Sequence, residues 1–141
     1  LKSDFVRPKW KHIGDKSKWK YPIHLNLKIL QERKKVILVE SIGDMLALWN
    51  AGIKNTIITF GVEISTEILN CLLKLDVDRI TISLNNDYDN NNVGNKAAQK
   101  IKNKLLKYFD AHQVKIMLPT KNDFGDMTES EIKNWSYGKK G

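Results

Sequence analysis

The chain has 141 residues, one domain's worth of sequence, and its 41% hydrophobic content is enough to bury a core. No apolar run nears the roughly 18 residues of a membrane span and no signal-peptide pattern opens the chain; the lone Cys71 excludes an internal disulfide and a cysteine-based metal site. The net charge of +8 is concentrated: residues 1–35 hold 11 Lys/Arg against 3 Asp/Glu, whereas residues 36–141 hold 13 of each, so a polyanion contact is expected through the amino-terminal part.

Residues 1–24 are basic and aromatic with no clean period and read as an irregular arm or short strands. Leu25 to Gln31 reads as a brief helix or an extended linker. From Lys35 onward strand and helix signals alternate. The first strand is predicted over 35–40, followed by a helix over 43–51 that Gly52 stops. A second strand is predicted over 56–60. Ser65 is the expected N-cap of a helix reaching Leu75, with Glu67 in its first turn. The third strand is predicted over 79–84, and a polar loop over 85–93 leads to a helix over 94–109 with Ala98, Ile101, Leu105 and Phe109 on one face. A fourth strand is predicted over 114–118, ended by Pro119. Thr128 and Glu131 form a capping box for a last short helix reaching Trp135. Cys71 lies in an apolar helical stretch and is expected to be a buried core thiol of an intracellular protein.

This order predicts an α/β fold: a Rossmann-like, four-stranded parallel sheet flanked by helices, with right-handed crossovers. The expected organisation is a basic arm over 1–34, the α/β domain over 35–135 and a tail over 136–141. Leu1 rather than Met opens the chain, as expected of a fragment or a trimmed product.

Short β-branched runs buried on both faces belong to parallel sheets, whose ligands bind beyond the carboxyl ends of the strands. Three acidic clusters fall there. Glu40 ends the first strand, with Asp44 about one helical turn on. Both can point into the crevice; equally, Asp44 can simply cap its helix while Glu40 is solvated. Asn85, Asn86 and Asp87 end the third strand, with Asp89 and Asn91 beyond. Such oxygens suit Mg²⁺, although Asn and Asp also favour turns. A calcium loop is excluded, because Asn92 stands where its glycine is required and Ala98 where its last glutamate is. Asp123 and Asp126 follow the fourth strand. Convergence of the three clusters favours a metal site.

In the arm, Lys9, Lys11, Lys18 and Lys20 offer phosphate neutralisation, and Trp10, Trp19 and Tyr21 offer stacking faces. Alternatively, the aromatics pack the arm onto the domain. His12 and His24 have no ligand partner nearby, and Ser41 and Ser83 lack a histidine base, so zinc and serine-hydrolase chemistry are not expected.

Four segments resemble the TOPRIM domain shared by primases, topoisomerases and some nucleases. Val36 to Leu46 (VILVESIGDML) is similar to the family's strand–Glu–Gly–x–x–Asp segment, and Ile82 to Asp87 (ISLNND) to its strand–Asp–x–Asp segment. Gly94 to Ala98 (GNKAA) resembles the primase Gly–x–x–Ala–Ala helix start, and Leu118 to Asp123 (LPTKND) the pattern after the last primase strand. Together they cover about residues 35–127, and the likeness is to bacterial-type primases, especially divergent phage forms. Ser41 replaces a family glycine, Asn85 replaces the first aspartate, and the loop before Gly94 is longer than usual. A frame using Asp87 and Asp89 as the Asp–x–Asp pair requires the strand end to slide by two residues.

The resemblance implies a DNA primase catalytic domain making RNA primers on single-stranded DNA with Mg²⁺, or Mn²⁺ in its place. It implies Glu40 and Asp87 as catalytic residues, Glu40, Asn85, Asp87 and Asp44 as metal ligands, and Asp89, Asp123 and Asp126 as an outer shell. The template and ribonucleoside triphosphates would meet Lys9, Lys11, Lys18, Lys20, Trp10 and Trp19. A replicative helicase is an implied partner, no membrane is involved, and the expected location is the cytoplasm, of the host cell if phage-encoded. A metal-dependent nuclease on the same cluster and a non-catalytic nucleic-acid-binding module stand as alternatives, the latter because Asn85 carries no charge.

Overall fold

In the computed structural model, residues 27–60, 63–86 and 93–138 are described. The elements run α1 (Leu27–Arg33), β1 (Lys35–Val39), α2 (Ile42–Asn50), β2 (Thr56–Ile58), α3 (Thr66–Leu75), β3 (Arg79–Ile82), α4 (Val93–Leu105), β4 (Val114–Ile116) and α5 (Glu129–Gly138), with 3-10 turns at Ala111–Gln113 and Phe124–Asp126. The four strands form one parallel sheet in the order β2-β1-β3-β4.

Consecutive strand residues point to opposite faces. Val36 to Val39 are all at most 2% exposed, so β1 is covered on both faces and its uninterrupted apolar run is explained. Each such side chain, fully buried, contributes roughly 1.5–3 kcal/mol. Helix α2 packs on β2, on α5 and on the 3-10 turn at Phe124–Asp126, while α4 packs on β3 and β4. Phe124 meets the Trp135 ring edge-on with centroids 4.9 Å apart, and Trp135 Nε1 donates to the Leu118 carbonyl at 3.0 Å. Ser41 caps α2, Ser65 caps α3, and the Thr128–Glu131 capping box forms in both directions.

Several elements end earlier than the sequence predicts. β2 stops at Ile58 because Phe60 turns to a φ of 59°, although Thr59 N still donates to the Val39 carbonyl at 2.8 Å. β3 stops at Ile82, yet Ser83 and Leu84 remain buried and Ser83 N donates to Leu38 O. α4 closes at Leu105 and unwinds through a turn to Phe109, and α5 runs past Trp135 to Gly138. Leu27–Arg33 is a helix whose Leu30 is fully buried in the core, so the packed unit reaches back to α1. The expectation for Cys71 is corrected. It is half-buried, because the helical period turns Leu69 and Leu72 inward and leaves Cys71 lining a depression with Leu27 and Gln31 of α1. Burial pushes its thiol pKa up, against the pull of the nearby Lys74 charge. Among the described residues no helix is long and apolar enough to cross a membrane.

Candidate functional site

From β1 the chain moves outward one way to β2 and the other way to β3, so the β1/β3 boundary is the topological switch point. In open α/β sheets ligands bind at the carboxyl edge of that boundary. Glu40 follows β1 there and Asn85 follows β3, and the Asn85 backbone N–H donates to Glu40 Oε1 at 3.4 Å. Asn85 Oδ1 is buried and has no hydrogen-bond partner among the described residues. A buried acceptor without a donor is costly, and carboxylate and amide oxygens are the ligand types that hard cations use. Glu40 and Asn85 therefore offer two oxygen donors of the kind a divalent cation takes.

The loop after β3 is tied to the loop after β4. Ser83 Oγ donates to Met117 O at 2.8 Å, Asn86 N to Asn122 O at 2.6 Å, and Asn86 Nδ2 to Pro119 O at 2.9 Å. These bonds hold the backbone on either side of Asn85.

Asp44 sits in the first turn of α2 and is 1% exposed. Ser41 Oγ donates to its Oδ2 at 2.9 Å, and the Phe124 backbone N–H donates to its Oδ1 at 3.0 Å. Burial pushes its carboxyl above the usual aspartate range, with a smaller push from the Asp123 charge, and the Ser41 and Phe124 hydrogen bonds oppose both. Asp44 thus fastens the loop after β4 to the helix after β1. Asp123, half-buried, caps the 3-10 turn by accepting from Asp126 N at 2.9 Å, and Asp126 is exposed.

The carboxyl edge thereby gathers Glu40, Asp44, Asn85 and Asp123, with Asp126 on the same turn. Among the described residues, no three His, Cys, Asp or Glu side chains form a group able to hold a metal. Asp87 and Asp89 lie outside the described residues, as do Lys9, Lys11, Lys18, Lys20, Trp10 and Trp19. Sequence reasoning did not single out Ser41 as the cap and hydrogen-bond donor of Asp44. Its signal was the Ser-x-x-Asp spacing at a helix start. Nor did it foresee Asn86 as the clamp on the loop after β4, which no local spacing reveals.

Residues 37–128 match the Toprim-like family, which is about two thirds of the sequence. The chain belongs to the Toprim-like family. Within it the likeness is to primases. The Toprim-like chain is 33% identical over 127 residues to a DNA primase from Helicobacter pylori, an alignment covering 87% of this chain and 22% of that protein. It therefore spans less than a quarter of the length of that relative. The RNA polymerase domain of Mycobacterium tuberculosis primase DnaG superposes with a TM-score of 0.64 at 18% identity, covering 80% of this chain and 38% of that one. The same domain in complex with a double-stranded DNA oligomer bearing a 6-nucleotide overhang gives 0.61 at 18%, with 82% and 37% covered. At these identities the structural matches establish the shared Toprim-like fold.

Proposed function

We propose that this chain is the catalytic Toprim domain of a DNA primase and takes part in divalent-metal-dependent synthesis of RNA primers on single-stranded DNA. The observation that carries the reading is the pairing of Glu40 with Asn85, whose buried Oδ1 lacks a partner among the described residues, at the switch point of a primase-like sheet. Glu40 and Asn85, joined by Asp87, would hold Mg²⁺ or Mn²⁺. When bound, the cation neutralises triphosphate charge and lowers the pKa of the attacking 3′-hydroxyl. Glu40 also accepts from the Asn85 backbone, which orients its carboxylate before substrate arrives.

Asp44 accepts from Ser41 and Phe124 with one bond on each oxygen, which orients it toward a positioning role and leaves a lone pair on each oxygen for the cation shell. Through it the loop that carries Asp123 and Asp126 is tied to the helix that follows Glu40. Lys9, Lys11, Lys18 and Lys20 would contact template or triphosphate, and Trp10 and Trp19 would stack on bases. The charge imbalance of residues 1–35 supports this, as does the DNA carried by the mycobacterial relative.

The test is template-dependent incorporation of labelled ribonucleotides by the full-length protein with Mg²⁺, compared with Glu40→Gln. Incorporation by the wild type and its loss in a folded Glu40→Gln variant is the expected result. Undiminished incorporation by the variant overturns the assignment. Asn85, an amide where the family carries a carboxylate, favours a second reading as a non-catalytic nucleic-acid-binding module. Salt-sensitive DNA binding with no Mg²⁺ or Mn²⁺ uptake by calorimetry would establish that reading instead.

A further inference from the structure

The amino edge of the sheet carries a second set of chemistry-bearing residues, at the opposite end of the strands from Glu40 and Asn85. Lys35 opens β1 and pairs in register with Arg79, which opens β3; two residues on, Thr81 pairs with Lys115 of β4. Period-two alternation puts all four on one face of the sheet. Arg33, from the end of α1, joins them around an open cavity of about 410 Å³ whose lining contains no Asp or Glu. Among the described residues none of the four cationic side chains forms an ion pair.

Three observations point to a ligand rather than a solvated face. Like charges directly opposite on a ladder destabilise the pair, yet Lys35 and Arg79 stand in register with no carboxylate in the cavity to relieve them. The backbone holds them there, since Lys34 O accepts from both Asp78 N and Arg79 N and locks the start of β3 to the start of β1. The cavity also exposes a built polar floor. Thr81 is 6% exposed and its side chain has no hydrogen-bond partner among the described residues, and Asn55, 7% exposed, donates Nδ2 to Lys35 O.

We infer that this amino-edge cavity binds the phosphate backbone of a single nucleic-acid strand. Anionic oxygens supply what the site lacks: counter-charge for four cations and acceptors for the Thr81 hydroxyl. A strand fits better than one free phosphate because the cations are staggered. Lys35, Arg79 and Lys115 lie on three adjacent strands set about 4.8 Å apart, forming a row along an open trough rather than one converging point. The contact is sequence-independent and lies away from the carboxyl edge.

The test is fluorescence anisotropy of a labelled oligothymidylate titrated with the full-length protein over a series of salt concentrations. A chelator in the buffer removes divalent cations, so the result does not depend on the carboxyl edge. Two variants are compared with wild type, Lys35→Gln with Arg79→Gln, and Arg33→Gln with Lys115→Gln. Lys100→Gln and Lys133→Gln, whose side chains sit in exposed ion pairs elsewhere, serve as controls. Each cavity pair is expected to weaken binding about tenfold near 0.1 M salt and to flatten the slope of log affinity against log salt by about 1.4, with controls near wild type. If one pair does not fold by circular dichroism, the other decides. Wild-type affinity and slope in a folded cavity pair overturn the inference. So does competition by inorganic phosphate as strong per mole as by unlabelled oligonucleotide, which makes the ligand a free anion. Equal competition by polyglutamate overturns it in favour of an acidic protein segment.

Discussion

Asp44 Oδ1 accepts the Phe124 backbone N–H at 3.0 Å across 80 residues of chain. One buried carboxyl thus joins the helix after β1 to the loop after β4. Asp44→Ala leaves the Phe124 donor and the Ser41 hydroxyl without their partner and is expected to cost about 2 kcal/mol in urea unfolding. Asp44→Asn keeps an acceptor for Phe124 and is expected to cost less than half as much.

The same pair gives a pH dependence. Burial raises the folded carboxyl above the ordinary aspartate value of 3.8, so the folded chain holds this proton more tightly than the unfolded chain does. Between the two values the native state binds more protons, and stability falls as pH rises through that window. The contribution of neutral Asp44 is complete below the unfolded value and is lost above the folded one. Urea midpoints of wild type minus those of Asp44→Asn, followed from pH 3 upward, should therefore decline with pH. A difference that rises with pH contradicts the assignment.

Phe124 is fully buried with its ring against Trp135. Phe124→Ala is expected to destabilise by roughly 3–5 kcal/mol, through lost transfer energy and the cavity left behind. Trp135→Phe keeps a ring against Phe124 but removes the bond to Leu118 O and part of the buried indole, and should cost less, about 1–2 kcal/mol. Denaturant melts of the two variants check both the size and the order.

Asn85→Asp places a charge where the amide oxygen now lies buried. On the proposed ligand set, Mn²⁺ binding should tighten by about tenfold or more, because hard-cation affinity follows ligand charge. Glu40→Gln should weaken it comparably. Titration calorimetry with Mn²⁺ alone decides, and an unchanged affinity in both variants removes these residues from the ligand set.

Asp76 ends α3 in the left-handed region at φ 52°, and it places an acid at the negative end of the helix. Gly adopts that φ without a Cβ penalty. Asp76→Gly is expected to raise stability by about 1 kcal/mol and the melting temperature by about 3 °C, as scanning calorimetry would show.

What could be read from the sequence follows where burial imposes a pattern. β1 and β3 were legible because covering both faces demands runs such as Val36 to Val39, and Ser65 and Thr128 were legible as caps because their partners lie three residues away. α1 left weak signs because it buries only Leu30. At the carboxyl edge, sequence spacing brought Glu40 and Asp44 together but could not say who claims the Asp44 oxygens, since Phe124 lies on another loop. Arg33, Lys35, Arg79 and Lys115 are scattered along the chain, and only the pairing register makes them neighbours.

Lys35 is the first residue of β1 and Glu40 follows its last. Five residues of strand at roughly 3.3 Å each separate them by about 17 Å. Loops at either edge can lengthen or shorten freely, but this interval cannot, because inserting one strand residue would exchange the side chains packed on the two covered faces and shift the pairing register. The sheet is therefore a ruler, and a ligand long enough to touch both edges has to match a length written in hydrogen-bonded backbone.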